Sequence, residues 1–339
     1  MKRNFKILFR TAGGKAIGKQ LGLGHVNRCV NLAHELTDCD TFFLIEDYGG
    51  VKDFLKLRRI KNVFNLKNGI NTNLDVQETK DLIIKKKIDV LVVDKFDIRT
   101  TYLKRMKEFT KVVVISDLKK INFPADLVVN GFINFKNKQV TNKYGTKCLV
   151  GPNYQILNQV FKKQKSLKRK KYDLLVTFGG FDEKNLIDIF LDQFSKYNEN
   201  IKAKIILGPA TKKSDKVKNY EKRYRNNLVI VDSVLEMAKE IAQSKFGLCS
   251  GGITSYEFAC LNVPFAIICQ VKHQLMTAKE WERKGVAINF GLINNRVEKK
   301  LAKFLEIISE NKNPYKLKRN FIIDGFGSSR VAQEILNSK

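Results

Sequence analysis

The chain has 339 residues, of which 43% are hydrophobic, and its formal net charge is +29. This length allows two domains with substantial cores, and the hydrophobic content excludes a disordered chain. Because no apolar run approaches the roughly 18 residues of a membrane span, we expect no stable membrane insertion. Basic residues are spread along the whole chain without interleaved aromatics, so we expect an anionic nucleotide rather than a nucleic acid as partner.

The first half of the chain alternates strand and helix signals. Apolar residues at spacings of three and four predict helices at residues 25–36 and 76–87. Short apolar and β-branched runs predict strands at residues 5–10, 41–45, 89–94, 111–115 and 127–130. Near-continuous Val, Ile and Leu runs of this length indicate a parallel sheet that is covered on both faces.

After a lysine-rich run at residues 162–171 the alternation restarts. Strands are predicted at residues 172–178, 203–207, 228–231, 246–250, 265–269 and 286–290, and helices at residues 234–243, 254–261 and onward to Trp281. The pattern predicts an α/β protein of two tandem Rossmann-like, doubly wound domains. Because such sheets bind ligands at the carboxyl ends of their strands, we expect a ligand cleft between the domains.

The expected domain boundaries follow from these patterns. They are residues 1–152 for an N-terminal Rossmann-like domain, 153–171 for a basic linker, 172–310 for a C-terminal Rossmann-like nucleotide-binding domain and 311–339 for a helical tail. The apolar run at residues 7–9 is too short for a signal-peptide core, which favours a cytoplasmic protein. The six cysteines have no CxxC pair and no metal-ligand spacing with histidine, so we expect structural thiols and no metal site.

A glycine-rich loop, Gly22-Leu23-Gly24-His25-Val26-Asn27-Arg28, leads from the first predicted strand into the first helix. The N–H groups and dipole of a helix N-terminus favour an anion, and an imidazole there is well suited to proton exchange near neutral pH. Arg28 shares a helix face with His25, and it either contacts a phosphate or pairs with a carboxylate. The alternative is an ordinary glycine turn before a surface helix.

A second glycine loop, Ser250-Gly251-Gly252-Ile253-Thr254-Ser255-Tyr256-Glu257, repeats this arrangement in the second half. Its glycines allow a close backbone approach, and the helix N-terminus that follows can hold a diphosphate. Thr254 is a candidate N-cap, with Glu257 three residues later in the capping-box position. Glu257 is alternatively a carboxylate that accepts both hydroxyls of a ribose.

Together these motifs resemble the GT-B superfamily around the MurG-type glycosyltransferases. The narrower resemblance is to the family of PseG, the nucleotide-sugar hydrolase of pseudaminic acid biosynthesis, and the related SpsG. It spans most of the chain and is carried by residues 9–10 with the first glycine loop, by residues 178–185, by the second glycine loop, and by Gln274 with residues 281–285.

The resemblance implies a GT-B-like fold and a hydrolase that cleaves a UDP-linked deoxy-diacetamido sugar into UDP and free sugar, a precursor of pseudaminic or another nonulosonic acid. His25 is then the general base that activates water at the anomeric carbon. No metal and no cofactor are implied, because backbone amides of the second loop stabilise the departing diphosphate. The substrate-binding residues implied are Gly24, Arg28, Phe96, Gly179, Gly180, Ser250, Gly251, Gly252, Ile253, Thr254, Glu257, His273 and Gln274.

Two positions depart from the family pattern. Phe96 stands where the family hydrolases have a tyrosine, and His273 stands before Gln274 where they have an asparagine. Because lost or gained hydrogen bonds discriminate substrates strongly, the sugar differs, or His273 is a second acid or base. A polar loop residue that contacts only solvent is the other interpretation of His273.

Three functions remain open at this level, and the oligomeric state is not determined. The first is the UDP-sugar hydrolase. The second is a MurG-like GT-B glycosyltransferase that passes the sugar from the same donor to an acceptor. The third is a binding module that keeps the nucleotide fold without turnover, which the missing tyrosine hydroxyl at Phe96 favours.

Overall fold

The computed structural model describes residues 4–16, 19–164, 167–197, 199–209, 211–314 and 323–337. The chain divides into two compact units, the first comprising Met1–Gln159 and Gly325–Lys339 and the second comprising Val160–Asp324. Residues 165–166 of the predicted linker, and residues 315–322 and 338–339 of the predicted tail, lie outside the described residues. Among the helices described, none combines the length and the apolar character needed to cross a membrane.

The first unit is built on one mainly parallel sheet. Its described strands are β1 (Phe5–Ala16), β2 (Lys19–Gly22), β3 (Cys39–Tyr48), β4 (Val63–Leu66), β5 (Val90–Asp94), β6 (Lys111–Ile115), β7 (Leu127–Asn130), β8 (Lys138–Thr141) and β9 (Lys147–Val150). Their order is β4-β3-β1-β5-β6-β7-β9-β8, with β8 antiparallel at one edge and β2 paired antiparallel with β1. The connecting helices are α1 (Gly24–Glu35), α2 (Val51–Leu57), α3 (Thr72–Lys86) and α4 (Thr100–Met106).

Both faces of this sheet are covered, as its strand sequences predict. In β5, Val90 and Val92 belong to one apolar core, while Leu91 and Val93 belong to the core on the opposite face. Because successive side chains of a strand point to opposite faces, a run of consecutive apolar residues must be buried on both sides. The prediction of a doubly covered parallel sheet is confirmed here.

The first strand is longer than its sequence predicts. It continues beyond residue 10 to Ala16 and pairs with β2, so a hairpin precedes the glycine loop that opens α1. The short elements α2, β4, α4, β8 and β9 also escaped the sequence prediction, because segments of four to seven residues carry little hydrophobic periodicity.

The second unit contains a fully parallel sheet. Its described strands are β10 (Tyr172–Thr177), β11 (Ala203–Ile206), β12 (Leu228–Val231), β13 (Ser244–Cys249), β14 (Phe265–Cys269) and β15 (Ala287–Leu292), in the order β12-β11-β10-β13-β14-β15. Its described helices are α5 (Val160–Lys163), α6 (Leu186–Phe194), α7 (Asp215–Arg223), α8 (Met237–Ala242), α9 (Ile253–Cys260), α10 (Gln274–Arg283) and α11 (Asn295–Ser309). Each of the six predicted strands is present, within two residues of its predicted ends.

The last helix, α12 (Gly327–Leu336), returns to the first unit. Its apolar residues Val331 and Ile335 are fully buried in the core that contains α1. Ser329 donates a hydrogen bond to Glu35 at 2.8 Å, and Arg330 donates one to the carbonyl of Asn153 at 3.0 Å. The sequence predicts a helical tail, but only tertiary contacts identify which unit this helix completes.

Candidate active site

The first turn of α1 brings His25 to the carboxyl end of β5. Helix α1 begins at the exposed Gly24, and His25 is its second residue. Asp94 is the last residue of β5 and is fully buried. Because β1 and β5 are parallel neighbours, their carboxyl ends lie at the same edge of the sheet, where the first turn of α1 meets the end of β5. The two side chains meet there, although 69 positions separate them in the chain.

The hydrogen bonds around His25 determine which ring nitrogen carries the proton. Nδ1 lies 2.6 Å from Asp94 Oδ1 and 2.9 Å from Arg28 Nη2. A carboxylate oxygen only accepts hydrogen bonds, so the shorter contact assigns the proton to Nδ1. Arg28 Nη2 donates its hydrogens to Asp94 Oδ1 at 2.7 Å and to Asp117 Oδ2 at 2.9 Å. This tautomer leaves Nε2 of His25 as the atom that can accept a proton.

Arg28 pairs with two carboxylates. Its Nε donates to Asp94 Oδ2 at 2.9 Å, and its Nη1 donates to Asp117 Oδ1. Burial by itself lowers the pKa of the Arg28 guanidinium, but the charges of Asp117 and Asp94 raise that pKa well above its ordinary value. The sequence left open whether Arg28 contacts a phosphate or pairs with a carboxylate. In the structure its guanidinium donates to the carboxylates of Asp94 and Asp117.

A second buried ion cluster surrounds Arg10. Its Nε and Nη2 each donate to a different oxygen of Asp75 at 2.9 Å, and Nη2 also donates to Glu46. Lys95 Nζ donates to Asp75 Oδ2 at 2.9 Å. Burial by itself raises the pKa values of Asp75 and Glu46, but the hydrogen bonds and charge of Arg10 hold both below their ordinary values. Because Lys95 directly follows Asp94, this cluster also anchors the end of β5 beneath His25.

Phe96 presents an aromatic surface on the loop that follows β5. Its side chain is 57% exposed, and Lys120 Nζ lies 5.8 Å from the centre of its ring. A phenyl ring offers an apolar face and no hydroxyl donor. Phenylalanine at this position therefore offers an aromatic surface and no hydroxyl donor.

In the second unit, the ends of β10, β13 and β14 are joined by the side chain of Gln270. Gln270 Nε2 donates to the carbonyl of Phe178 at 3.0 Å and to Ser250 Oγ at 3.1 Å. Ser250 is buried, and its hydroxyl lies 3.5 Å from the same carbonyl of Phe178. Ser250, predicted to bind substrate, thus hydrogen-bonds to protein groups that hold the two glycine turns together.

The helix after the second glycine loop begins earlier than predicted. Gly252 occupies the N-cap position and α9 starts at Ile253, so Thr254 is the second helical residue and the expectation that it caps the helix is wrong. The first amides of a helix have no carbonyl partner four residues back and can bind an anion. In this turn the Ser255 N–H bonds the carbonyl of Gly252 at 3.2 Å. Gly252 is exposed, and Ile253 and Thr254 are partly exposed. Glu257 is 7% exposed, in the second turn of the same helix.

The amide of Gln274 has a defined orientation. Gln274 Oε1 accepts a hydrogen bond from the backbone N–H of Gln270 at 2.8 Å. Because a backbone N–H can only donate, the Gln274 oxygen is held there and its NH2 group is left as a donor. Gly251 packs directly against this residue: a Cβ at Gly251 would lie 2.9 Å from the carbonyl oxygen of Gln274. His273 is exposed at the N-terminus of α10.

The turn at Gly179 and Gly180 is backed by a glycine that the sequence analysis did not single out. A Cβ at Gly208 would lie 2.1 Å from the carbonyl oxygen of Gly179, so only glycine fits there. Gly179 itself has a φ of +87°, a conformation that side chains disfavour, with open space around it. Both predicted turn glycines are partly exposed at the end of β10.

Besides Gly208 and the partners of Arg10, the sequence analysis did not single out Asp94, Asp117 or Gln270. Asp94 ends a predicted strand, Gln270 directly follows one and Asp117 lies two residues beyond one, and a polar residue at such a place was the available signal. In the described residues, no group of three or more His, Cys, Asp or Glu side chains has an arrangement that could hold a metal ion.

Sequence comparison identifies relatives that match most of the chain. No family model matches it. The spore coat polysaccharide biosynthesis protein SpsG of Bacillus subtilis is 29% identical over 289 residues, which cover 81% of each chain. The UDP-2,4-diacetamido-2,4,6-trideoxy-beta-L-altropyranose hydrolase of Campylobacter jejuni is 25% identical over 291 residues, 84% of this chain and 99% of that protein. This chain is a relative of both. The predicted resemblance to SpsG and to this hydrolase is confirmed.

A third relative is longer. An uncharacterized protein of Methanocaldococcus jannaschii is 26% identical over 264 residues, which cover 74% of this chain. The match covers 54% of that protein, so the chain spans about half its length.

Solved structures establish the fold class. MurG of Acinetobacter baumannii superposes with a TM-score of 0.62 at 15% identity, covering 98% of this chain and 99% of MurG. The UDP-GlcNAc 2-epimerase of Neisseria meningitidis, solved with bound UDP-GlcNAc, superposes with a TM-score of 0.56 at 12% identity, covering 98% of this chain and 100% of that one. These likenesses confirm the predicted GT-B-like fold of two parallel-sheet, Rossmann-like domains.

Proposed function

We propose that this protein is a hydrolase that cleaves a UDP-linked deoxy-diacetamido sugar into UDP and the free sugar. The observation that carries the proposal is the pair of His25 and Asp94, with Nδ1 bonded to a buried carboxylate at 2.6 Å. An imidazole oriented in this way has Nε2 available as a general base. The name of the Campylobacter relative supports the substrate class.

The reaction needs one water molecule and one base. In the proposed step, the oxygen of water forms a bond to the anomeric carbon while the bond from that carbon to the diphosphate oxygen breaks. The water proton passes to His25 Nε2, and UDP leaves with the bonding electron pair. Asp94 stabilises the imidazolium that forms, because its carboxylate already accepts the Nδ1 proton. General base catalysis of this kind contributes a factor of roughly 10²–10⁴.

The second unit supplies the groups that suit the nucleotide. The amides at Gly251, Gly252 and the first turn of α9 are proposed to bind the diphosphate, where the helix dipole favours negative charge. Glu257 is proposed to accept hydrogen bonds from the ribose hydroxyls. The turn at Gly179 and Gly180 is proposed to contribute to the same nucleotide site of the second unit.

Binding of the sugar is assigned to three of the other predicted substrate-binding residues, Gln274, Phe96 and His273. Gln274 would offer its NH2 group as a donor to a sugar oxygen, because its own oxygen is held by the amide of Gln270. Phe96 would contact an apolar face of the sugar ring, as an exposed ring without a hydroxyl can. His273 is exposed and is proposed either to contact the sugar or to act as a second acid or base.

The direct test is incubation of the purified protein with UDP-2,4-diacetamido-2,4,6-trideoxyhexoses. We expect equimolar release of UDP and free sugar without an added acceptor. His25→Ala should lower kcat by roughly 10²–10⁴. His34→Ala is the matched control, since this histidine of the same helix bonds only the carbonyl of Arg58 among the contacts described, at 3.2 Å. Full activity of His25→Ala would refute the assignment of the base.

The same assay separates the other functions. UDP release that strictly requires an acceptor would identify a glycosyltransferase. UDP binding without turnover of any sugar donor would identify a binding module.

A further inference from the structure

We propose that Gln270 is the positioning residue of the nucleotide site, because its side chain fastens the two glycine turns of the second unit to each other. The inference rests on the proposed function in one respect, namely that these turns bind UDP. Gln270 is not itself expected to touch the nucleotide, since it is 7% exposed and its amide is occupied by protein groups.

Gln270 directly follows β14, and its side chain reaches past the end of β13 to the end of β10. Along this path Nε2 donates to Ser250 Oγ at 3.1 Å and to the Phe178 carbonyl at 3.0 Å, with the Phe181 carbonyl at 3.4 Å. Its Oε1 accepts the backbone N–H of Glu183 at 3.0 Å. The NH2 group and the oxygen of the Gln270 side-chain amide are therefore both used, and together they join the ends of β10, β13 and β14.

The segments joined in this way are those with the proposed ligand contacts. Phe178 and Phe181 flank the turn at Gly179 and Gly180, and Ser250 directly precedes Gly251. The backbone N–H of Gln270 is in turn held by Gln274, which packs against Gly251. A single buried side chain thus sets the relative position of both glycine turns.

The hydrogen bonds of Gln270 can keep the two glycine turns at a fixed distance from each other. Glycine turns have more conformational freedom than other segments, and the surroundings of Gly179 and Gly252 are open. Binding a diphosphate with backbone amides requires those amides to be ordered beforehand, because ordering them on binding reduces affinity. Without the Gln270 amide, the two turns keep the longer contact of Ser250 Oγ with the Phe178 carbonyl at 3.5 Å but lose the shorter hydrogen bonds that Gln270 makes to both turns. The sheet beneath them keeps its own hydrogen bonds.

The test is UDP binding by calorimetry to the full-length wild type and to Gln270→Met, which keeps the side-chain length and removes every hydrogen bond of the side-chain amide. We expect the Kd for UDP to rise about tenfold, equivalent to about 1.4 kcal/mol, the scale of one or two net hydrogen bonds. KM for the UDP-sugar should rise in parallel while kcat stays near the wild-type value. A purely structural role would instead reduce the folded fraction and leave the Kd of the folded protein unchanged.

Two further variants keep the proposal falsifiable. Gln270→Asn keeps an amide but draws it back by one methylene, so it cannot keep all of the hydrogen bonds to Ser250, Phe178 and Glu183. This variant tests the same prediction if the methionine variant does not fold. Gln193→Met is the matched control, because Gln193 is a similarly buried glutamine near the C-terminal end of α6, where it bonds Lys196 at 3.0 Å. Its UDP affinity should equal that of the wild type.

The outcomes separate this inference from the proposed function. A folded Gln270 variant with wild-type affinity for UDP overturns the inference, as does an equal loss of affinity in Gln193→Met. Wild-type protein that does not bind UDP overturns it as well. If the wild type binds UDP but hydrolyses no sugar donor, the proposed hydrolase is refuted, and the weaker UDP binding of the Gln270 variants still supports the inference.

Discussion

Replacing Asp94 with asparagine tests whether this carboxylate makes His25 a base. The native carboxylate accepts the Nδ1 proton of His25 at 2.6 Å, and it accepts from Arg28 Nη2 at 2.7 Å and Nε at 2.9 Å. Asparagine keeps the size of the side chain and one oxygen, but it removes the negative charge. In the variant, the imidazolium that forms when His25 takes up a proton has no carboxylate at Asp94 to balance its charge. The positive Arg28, whose Nη2 lies 2.9 Å from Nδ1 in the native protein, is still beside it.

The size of the effect follows from the charges. Two unit charges about 4 Å apart attract each other by about 4 kcal/mol at an effective dielectric constant of about 20. Because the imidazolium develops as the reaction proceeds, losing this attraction raises the barrier and lowers kcat roughly 10³-fold. UDP affinity should not change, since Asp94 belongs to the first unit and the loops proposed to bind UDP belong to the second.

The assay measures kcat from the initial rate of UDP release, with UDP binding by calorimetry and circular dichroism as a check on folding. Asp89→Asn is a matched control, because Asp89 immediately precedes the other end of β5 and accepts the backbone N–H of Lys6 at 2.8 Å. It should keep kcat. A folded Asp94→Asn protein with kcat within about threefold of the wild type would refute the idea that Asp94 orients and stabilises His25.

The remaining predictions concern the second glycine loop and the Arg10 cluster. Gly252→Ala should fold normally, because its Cβ meets open space, and it should bind UDP more weakly, because the methyl group occupies the approach to the loop amides. Thermal unfolding checks the folding and calorimetry checks the affinity for UDP. Unchanged affinity would contradict the proposal that this loop binds the diphosphate. Gly208→Ala should instead lower the free energy of unfolding by about 1–3 kcal/mol, since its Cβ would lie 2.1 Å from the carbonyl oxygen of Gly179. Burial by itself raises the pKa of Asp75, but the hydrogen bonds and charge of Arg10 lower it by more. The pKa of Asp75 in the folded protein therefore lies below that in the unfolded chain. The resulting stability is present above the ordinary aspartate pKa of about 3.9 and is lost as the pH falls below it. Denaturant midpoints measured against pH should show this fall, and Asp75→Asn should flatten it; an equal slope in the variant would contradict the account.

Hydrophobic patterning made most of the core predictable. The strands β5 to β7 and β10 to β15 are short segments rich in apolar residues, and such segments indicate buried strands from the local sequence alone. The position of His25 in the first turn of a helix was predictable for the same local reason. The start of α9 was not predictable, because a glycine at the N-cap has no side chain to mark it. Thr254, two residues later, is of a type that often caps helices.

The sequence alone therefore determined the α/β class, the division into two Rossmann-like halves and the two glycine loops, because each depends on residues close together in the chain. Only the tertiary structure decided the partners within these sites. Asp94 and Asp117 lie 69 and 89 positions from the residues they bind, and Gln270 lies 92 positions from Phe178. Parallel strands separated by helices bring such distant residues to the same sheet edge, and the sequence spacing carries no record of which polar side chains then meet. For this reason the sequence left open whether Arg28 contacts a phosphate or pairs with a carboxylate, and only the structure shows its pairs with Asp94 and Asp117.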